Sequence, residues 1–340
     1  MGRSRSDLVV FVAKRLLQLI PVLLGVIVIT FFFTHIAVSN PCSIWSGPKA
    51  SPSTIAACVR NNHFNDSLPV QFYYYLSGLV SGNWGTDPLF HTPVLPYLLT
   101  TFPATLELVL TATVMMVFVG IPLGVVAAAS NGRIADHLVR IFYLSGWATP
   151  TYIAGVVLAI GLGPLLGVSG GAFSTPNSPV PTITHMSVID SLIALNPSAT
   201  ADAIEHLILP AIALAFINMG IATRMTRTSM LEILPLEFVK TARMKGLGEF
   251  LVLYKHALRN ALITTVTVLG VTAGTMVSGT VVVESIFKWP GLGLYAYDAI
   301  TGYDFAGTIG VVIFFAIVVV VANLIADVLY GVLDPRVEWR

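Results

Sequence analysis

Ionisable and amide side chains inside or beside long apolar runs are the first residues in this sequence that could do chemistry. Glu107, Glu284 and Asp327 stand at the ends of such runs, and Asn218 and Asn323 stand inside them. A charge in hydrocarbon is costly unless it meets water, a solute or a polar partner. These residues are therefore candidates for a polar path through a membrane, with pairing between neighbouring helices as the plainer alternative.

The basic segment 224–259, which separates two apolar runs, is the second candidate. Over 238–247 apolar residues recur near helical spacing among the cations, and Gly246 offers the positive φ that ends a helix. This pattern predicts a short helix, a turn and a second helix. The small residues Thr241, Ala242 and Gly246 leave little bulk on one side, which suits the close approach of a partner protein. A solvated basic loop that only sets topology is the plainer alternative.

Two motifs typical of catalysis are missing from the sequence. It has no GxxxxGK[ST] loop, so the chain cannot hydrolyse ATP by that route, and it has no HExxH motif. We assign it no catalytic residue and no bound cofactor. The net charge is +1, with the few basic residues confined largely to one side of the membrane, which argues against nucleic-acid binding.

The two cysteines, Cys42 and Cys58, lie 16 residues apart in one polar segment. No CxxC or histidine-rich motif accompanies them, so we predict no metal site. If the segment faces outside, a disulfide is chemically allowed. Two free thiols are an equal alternative at this point.

Composition predicts the elements that must position these residues. Of 340 residues, 55% are hydrophobic and 10% are charged, and the mean hydropathy is +0.83, which indicates an integral membrane protein. A transmembrane helix needs about 20 apolar residues. Six runs qualify, and the expected fold is all-α, with six transmembrane helices in one domain over 1–340. The runs are Leu16–Thr34, Leu108–Ala129, Ile141–Pro164, Leu207–Thr223, Asn260–Val283 and Phe305–Ala326.

The distribution of lysine and arginine predicts the orientation, because these residues are enriched in cytoplasmic loops. Fifteen of the eighteen lie on one side, including seven between the fourth and fifth runs. Both termini and the segment 224–259 are therefore expected in the cytoplasm, and 35–103 outside. A cleaved signal peptide is the alternative for the first run, since Ala37-Val38-Ser39 resembles a cleavage site. The run is longer than a typical signal core, which favours an uncleaved anchor.

The segment Thr241-Ala242-Arg243-Met244-Lys245-Gly246-Leu247 resembles the "EAA" loop of ATP-binding-cassette (ABC) importer permeases, in the variant of the dipeptide/oligopeptide family. Lys240 and Thr241 stand where the general motif has glutamate and alanine, as in other peptide-type members. Further matches appear in the family's order along nearly the whole chain. They include Arg15-Leu16-Leu17, Leu68-Pro69-Val70-Gln71, Gly120-Ile121-Pro122-Leu123-Gly124, His206-Leu207-Ile208-Leu209-Pro210-Ala211, Trp289-Pro290-Gly291-Leu292-Gly293 and Asp334-Pro335-Arg336.

The resemblance implies a permease of type I importer architecture in the cell membrane. Its partners would be a second, similar permease, two cytoplasmic ATPase subunits that use ATP and Mg, and an external solute-binding protein. The implied ATPase-coupling residues are Thr241, Ala242, Arg243, Lys245, Gly246 and Leu247. The stretch after Glu284 is similar to the family's external hairpin, so Glu284, Trp289 and Asn218 are candidate pathway or outer-gate residues.

The transported solute is the least determined feature. Members of the family carry di- or oligopeptides, and others carry nickel or oligosaccharides; peptide is favoured by family frequency alone. A secondary transporter or channel and a membrane enzyme are the rival classes. Neither an inverted repeat nor a selectivity-filter motif supports the first, and the absence of an HExxH motif speaks against the second. An absence of turnover without an ATPase partner would separate the importer from both.

Overall fold

The computed structural model describes residues 5–37, 41–46, 50–88, 91–168, 170–173 and 180–333. Helices account for most of these residues, and the only β-pairing among them is an isolated bridge between Thr86 and Pro93. The all-α prediction is confirmed.

Fifteen α-helices and one π-helical segment form the described chain. In order they are α1 Arg5–Ala37, α2 Pro41–Trp45, α3 Pro52–Asn61, α4 Leu68–Val80, α5 Val94–Ala129, α6 Ile134–Ala148, α7 Thr151–Gly161, α8 Gly163–Leu166, α9 Ser187–Ile193, α10 Pro197–Ile233, α11 Glu237–Met244, α12 Glu249–Leu251, the π-helical segment Val252–Ala257, α13 Leu258–Phe287, α14 Leu292–Thr301 and α15 Phe305–Leu333.

Four helices among the described residues are long and apolar enough to cross a membrane. They are α5, α10, the Val268–Phe287 part of α13 and the Phe305–Ile325 part of α15. Each contains or overlaps a predicted run. The first predicted run lies in α1, whose Ile20–Phe33 stretch is apolar but shorter. The count of six therefore stays a prediction.

The third run, Ile141–Pro164, is not one continuous helix as predicted. It falls on α6 and α7, whose axes meet at 103°. Pro150 explains the break, because proline lacks an amide hydrogen and disfavours the helical conformation of the residue before it. Thr149 accordingly has ψ 120°, and α7 restarts at Thr151. The pair is either one broken span or a re-entrant loop.

α5 and α10 are also longer than predicted, since they continue past the apolar windows Leu108–Ala129 and Leu207–Thr223 at one or both ends. α10 lies in the middle of the bundle: 67% of its apolar window is buried, against 33% for α5. Glycine allows this packing. A Cβ atom at Gly124 would lie 2.8 Å from the Thr223 carbonyl oxygen, so α5 and α10 approach as closely as backbones allow.

α1 packs against the last helix, α15. Ile27 and Phe31 of α1 are buried together with Ile309 and Ile313 of α15. The aromatic ring of Phe31 also meets Phe72 of α4, with ring centroids 5.2 Å apart. α4, which spans Leu68–Val80, thus packs on the end of the α1–α15 pair.

Candidate functional site

The candidate coupling helix α11 lies at one end of the bundle, here called the basic end, which comprises residues 130–136 and 224–259. Val239 and Ala242, one turn apart on α11, are 0% and 6% exposed. Both belong to an apolar cluster with residues from four neighbouring elements, namely α5, α10, the π-helical segment and α13. The other buried members are Val125, Ala128, Met230, Val252, Ala257, Leu258 and Ala261. α11 therefore rests on the ends of α5, α10 and α13 together.

The outer face of α11 is exposed. Phe238 and Met244 are 42% and 78% exposed. Thr241, Arg243 and Lys245 are exposed beside them. The helix presents an apolar and cationic surface away from the bundle, with no described residue of the chain covering it. Such a surface suits a partner with an apolar, acidic groove.

A short turn fixes the end of α11. Gly246 has φ +74°, the left-handed conformation that glycine adopts at little cost. Across the turn, Arg243 donates from Nε and Nη2 to the two carboxylate oxygens of Glu249, at 3.1 and 2.7 Å. These hydrogen bonds and the charge of Arg243 lower the pKa of Glu249. The chain then continues through α12 and the π-helical segment into α13 without a break.

All six predicted coupling residues therefore lie together on α11 and the following turn. One expectation about them was wrong. We expected the small side chain of Ala242 to face a partner, but it faces the apolar cluster, because it shares the inward face of α11 with Val239. Ala242 positions the helix, and the exposed residues around it form its accessible surface.

Glu284 lies at the opposite end of the bundle and is completely buried. Its carboxylate accepts hydrogen bonds from Thr105 Oγ1 at 2.8 Å and from the backbone N–H groups of Gly293 and Leu294 at 2.7 and 3.1 Å. Thr105 in turn accepts from the Leu292 N–H at 2.8 Å. Glu284 and Thr105 thus occupy the N-terminus of α14, where backbone N–H groups lack helical acceptors.

Glu284 therefore holds the 288–293 turn in place. Trp289 supports the same turn, since its Nε1 donates to the Ala104 carbonyl oxygen at 2.9 Å and its side chain is buried. A Cβ atom at Gly291 would collide with the Glu284 carboxylate, and one at Gly293 would collide with the Val281 backbone, which explains both glycines. Trp289 also borders a cavity of about 490 Å³ between this turn and the segment before α9.

Glu107 has a matching role beside it. Its carboxylate accepts hydrogen bonds from the Ser187 N–H and hydroxyl at 2.8 and 2.9 Å and from the Val188 N–H at 2.9 Å. It therefore caps α9, as Glu284 caps α14. Pairing with a neighbouring element, the plainer alternative for Glu107, is what the structure shows.

Asn218 lies mid-helix on α10 beside a cavity of about 160 Å³ that Thr151, Thr275 and Gly279 also line. Its Nδ2 donates to the Leu214 carbonyl oxygen at 2.8 Å. Asn218, a predicted pathway residue, thus borders a cavity among the spanning helices. Asn323 lies near Gly274 at the α13–α15 contact, and the side chain of Asp327 lies outside the described residues.

The structure joins the sulfur atoms of Cys42 and Cys58, whose Cα atoms are 5.8 Å apart. Cys42 is fully buried. Among the described residues, no group of three or more His, Cys, Asp or Glu side chains is placed to hold a metal ion.

Sequence reasoning missed an ion pair at the basic end. Asp136 of α6 is 0% exposed and receives two hydrogen bonds from Arg227 of α10. The pair is separated by 91 positions in sequence, and each residue alone looks like an ordinary topology or surface charge. Nothing in the sequence around Asp136 marks it as a buried charge, so only the packing of α6 against α10 reveals the pair.

Comparison with known families decides what this arrangement is. Residues 120–339 match the family described as "Binding-protein-dependent transport system inner membrane component", and residues 8–101 match its N-terminal counterpart. The chain belongs to this family. It is an ABC importer permease, a multi-pass protein of the cell membrane.

Curated relatives of this permease match over nearly their full length. The probable D,D-dipeptide transport system permease protein DdpB of Escherichia coli K12 is 37% identical over 326 residues, covering 95% of this chain and 96% of DdpB. The dipeptide permease DppB of the same organism is 36% identical, covering 97% and 99%. The oligopeptide permease AppB of Bacillus subtilis is 34% identical, with the same coverage.

Among solved structures, the inward-facing MetNI methionine ABC transporter matches this permease with a TM-score of 0.53 at 18% identity. The match covers 71% of this chain and 98% of the transporter chain. It supports the type I permease fold that the sequence predicted.

Proposed function

We propose that this permease forms one half of the translocation path of an ATP-driven peptide importer. A second, similar permease forms the other half. The basic end lies in the cytoplasm with both termini, and 35–103 lies outside, because fifteen of eighteen lysines and arginines fall on the basic side. Residues 1–340 act as one transmembrane domain.

The outer face of α11 docks on a cytoplasmic ATPase subunit. The observation that carries this proposal is the contrast between its two faces: Val239 and Ala242 are buried on the bundle, while Met244 is 78% exposed among cations. Met244 and Phe238 are exposed together on α11, and methionine and aromatic side chains beside cations are typical of surfaces that bind a partner protein. Two ATPase subunits, one for each permease, use the ATP and Mg, and this chain hydrolyses nothing.

The apolar cluster between α11 and the bundle transmits movement of α11 to the membrane-spanning helices. Because the cluster joins the ends of α5, α10 and α13, a displacement of α11 by an ATPase moves all three helices. α10 and α13 border the cavity beside Asn218. ATP binding thereby reshapes the path, and an external solute-binding protein delivers the solute when the path opens outward.

The solute is a di- or oligopeptide. The relatives reported above that cover almost the whole chain are named as D,D-dipeptide, dipeptide and oligopeptide permeases. Oligosaccharide and nickel are the alternatives within the family. The external solute-binding protein is expected to determine which of these solutes is transported.

Uptake by the complete importer in proteoliposomes tests this function. The wild-type complex should take up dipeptide or oligopeptide when ATP is supplied on the side of the liposome membrane that carries the ATPase subunits. Neither oligosaccharide nor nickel should compete with the peptide. Uptake without any ATPase subunit would refute the importer. Competition by sugar or nickel but not by peptide would refute the solute class alone.

A pair of exposed-residue variants tests the docking surface. Met244→Asp should lower co-purification of the ATPase about tenfold, the scale of an interface hot spot, without lowering the amount of permease in the membrane. Leu195→Asp is the matched control, since Leu195 is 88% exposed at the opposite end. It should leave ATPase binding unchanged. Equal ATPase recovery from both variants and the wild type would contradict α11 as the docking site.

A further inference from the structure

Asp136 and Arg227 form the most enclosed ion pair at the basic end among the described residues. Arg227 donates from Nε to Oδ1 at 2.8 Å and from Nη2 to Oδ2 at 3.0 Å, a two-pronged geometry. The Asp136 side chain is 0% exposed and that of Arg227 is 17% exposed. Because the Asp136 carboxylate is buried, salt screens this pair less than it screens an exposed ion pair, and the two-pronged contact gives the pair a defined geometry.

Two further contacts tie the same pair to the α5–α6 turn. The Gly132 N–H donates to Asp136 Oδ2 at 3.0 Å, and Arg227 Nη2 donates to Asn131 Oδ1 at 3.1 Å. Arg140 approaches the carboxylate less closely, at 3.6 Å. Arg227 therefore binds both the turn and the first turn of α6 at once.

Arg227 and Asp136 lie at positions that join two parts of the bundle. Arg227 lies within the last two turns of α10, just before α11. Asp136 lies at the start of α6, which leads into α7 through the 103° bend. The ion pair thus connects α10, the helix that precedes the docking helix α11, to the bent pair α6–α7.

Glycine contacts already join α6 and α10 farther into the bundle. A Cβ atom at Gly146 would lie 2.8 Å from the Phe216 carbonyl oxygen, and one at Gly220 would lie 2.7 Å from the Tyr143 carbonyl oxygen. These helices are in backbone contact at their crossing, and the crossing alone leaves rotation about it possible. A second attachment near their ends removes that freedom.

We infer that Asp136 and Arg227 are positioning residues of the transport cycle, which make the α5–α6 turn and the bent pair α6–α7 follow α10 when an ATPase moves α11. This inference rests on the proposed function of α11. Without the ion pair, α10 and α11 still respond to the ATPase, but the bent pair lags behind. ATP hydrolysis then continues while solute movement falls.

The ratio of solute taken up to ATP hydrolysed tests the inference in the reconstituted importer. The double variant Asp136→Asn, Arg227→Gln removes both charges, so that no unpaired buried charge remains. Hydrolysis should stay within about twofold of wild type, and uptake per ATP should fall about fivefold or more, the lower end of ordinary coupling effects. Arg140→Gln, on the same helix near the same carboxylate, should keep the wild-type ratio.

A wild-type ratio in the double variant would overturn the inference. This includes the case in which hydrolysis and uptake fall in equal proportion, which is what general destabilisation produces. If the wild-type permease did not bind the ATPase at all, the proposed function itself would be refuted. The two failures are therefore distinguishable.

A distance measurement on the complex with both side chains intact keeps the test independent of variant folding. Spin labels at positions 133 and 228 report the separation of the α5–α6 turn from α10. The inference predicts that this distance stays constant when ATP binds. A change of about 5 Å, the scale of a one-turn shift between helices, would overturn it.

Discussion

Replacing Glu284 by alanine removes the acceptor that holds the α14 N-terminus on the membrane helices. The Gly293 and Leu294 N–H groups both donate to one Glu284 oxygen, and Thr105 donates to the other. The Thr105 hydroxyl can rotate to a new acceptor, but the two backbone donors are fixed. Two buried unpaired donors cost about 1–3 kcal/mol each, so Glu284→Ala should destabilise this end by about 2–6 kcal/mol.

Graded variants sharpen the prediction. Glu284→Gln keeps one oxygen for the backbone donors and turns its amide group towards Thr105 Oγ1, which still has acceptor capacity, so the loss should be about 1 kcal/mol. Thr105→Val leaves the Leu292 N–H without its acceptor, at about 1–3 kcal/mol. The expected loss of stability is largest for Glu284→Ala, smaller for Thr105→Val and smallest for Glu284→Gln.

Thermal unfolding of the purified permease in nanodiscs, with limited proteolysis of residues 288–304, measures this order. Glu237→Ala is the control, because the Glu237 side chain is 85% exposed and its loss should change stability by no more than about 0.5 kcal/mol. Wild-type stability of Glu284→Ala, or equal damage by glutamine and alanine, would refute the hydrogen-bond account.

Three other predictions concern separate parts of the chain. Gly124→Ala should destabilise the helix bundle by about 1–3 kcal/mol through overpacking, whereas Gly25→Ala should not, since no atom lies within 4 Å of its added Cβ; thermal unfolding compares them. Thiol alkylation should label neither cysteine until a reductant is added, and reduction should destabilise the external segment by about 3 kcal/mol on the chain-entropy account; labelling of untreated protein would contradict the bridge. Because Arg243 lowers the pKa of Glu249, their ion pair stabilises the turn after α11 above the ordinary glutamate pKa and is lost as pH falls through the lowered value. Hydrogen exchange at 246–249, corrected for intrinsic rates, should accelerate on acidification in wild type and lose that pH dependence in Arg243→Gln.

The local sequence pattern predicted α11 well, because the apolar residues at helical spacing and the glycine that ends the helix all lie within ten consecutive residues. They did not predict the break at Pro150, since the apolar run continues on both sides of it and hydropathy does not register a missing amide hydrogen. They also did not reveal the partners of buried acids. Glu284 meets Thr105 across 179 positions, so its role as a cap depends on how two distant helices pack.

The same limit explains the mistaken view of Ala242. Sequence identified a small residue beside exposed cations, but only packing decides which face of a helix the bundle covers. Val239 and Ala242 share that face with the ends of three other helices. The accessible surface is formed instead by bulkier neighbours such as Met244.

Photo-crosslinking in native membranes tests the central claim most directly. A photoreactive residue placed at position 244, which is 78% exposed, should crosslink to an ATPase subunit, and one placed at position 239, which is 0% exposed, should not. Mass spectrometry identifies the captured protein. An ATPase adduct from 244 alone is the predicted result; no ATPase adduct from 244, or adducts of equal yield from both positions, would contradict α11 as the surface that couples this permease to ATP.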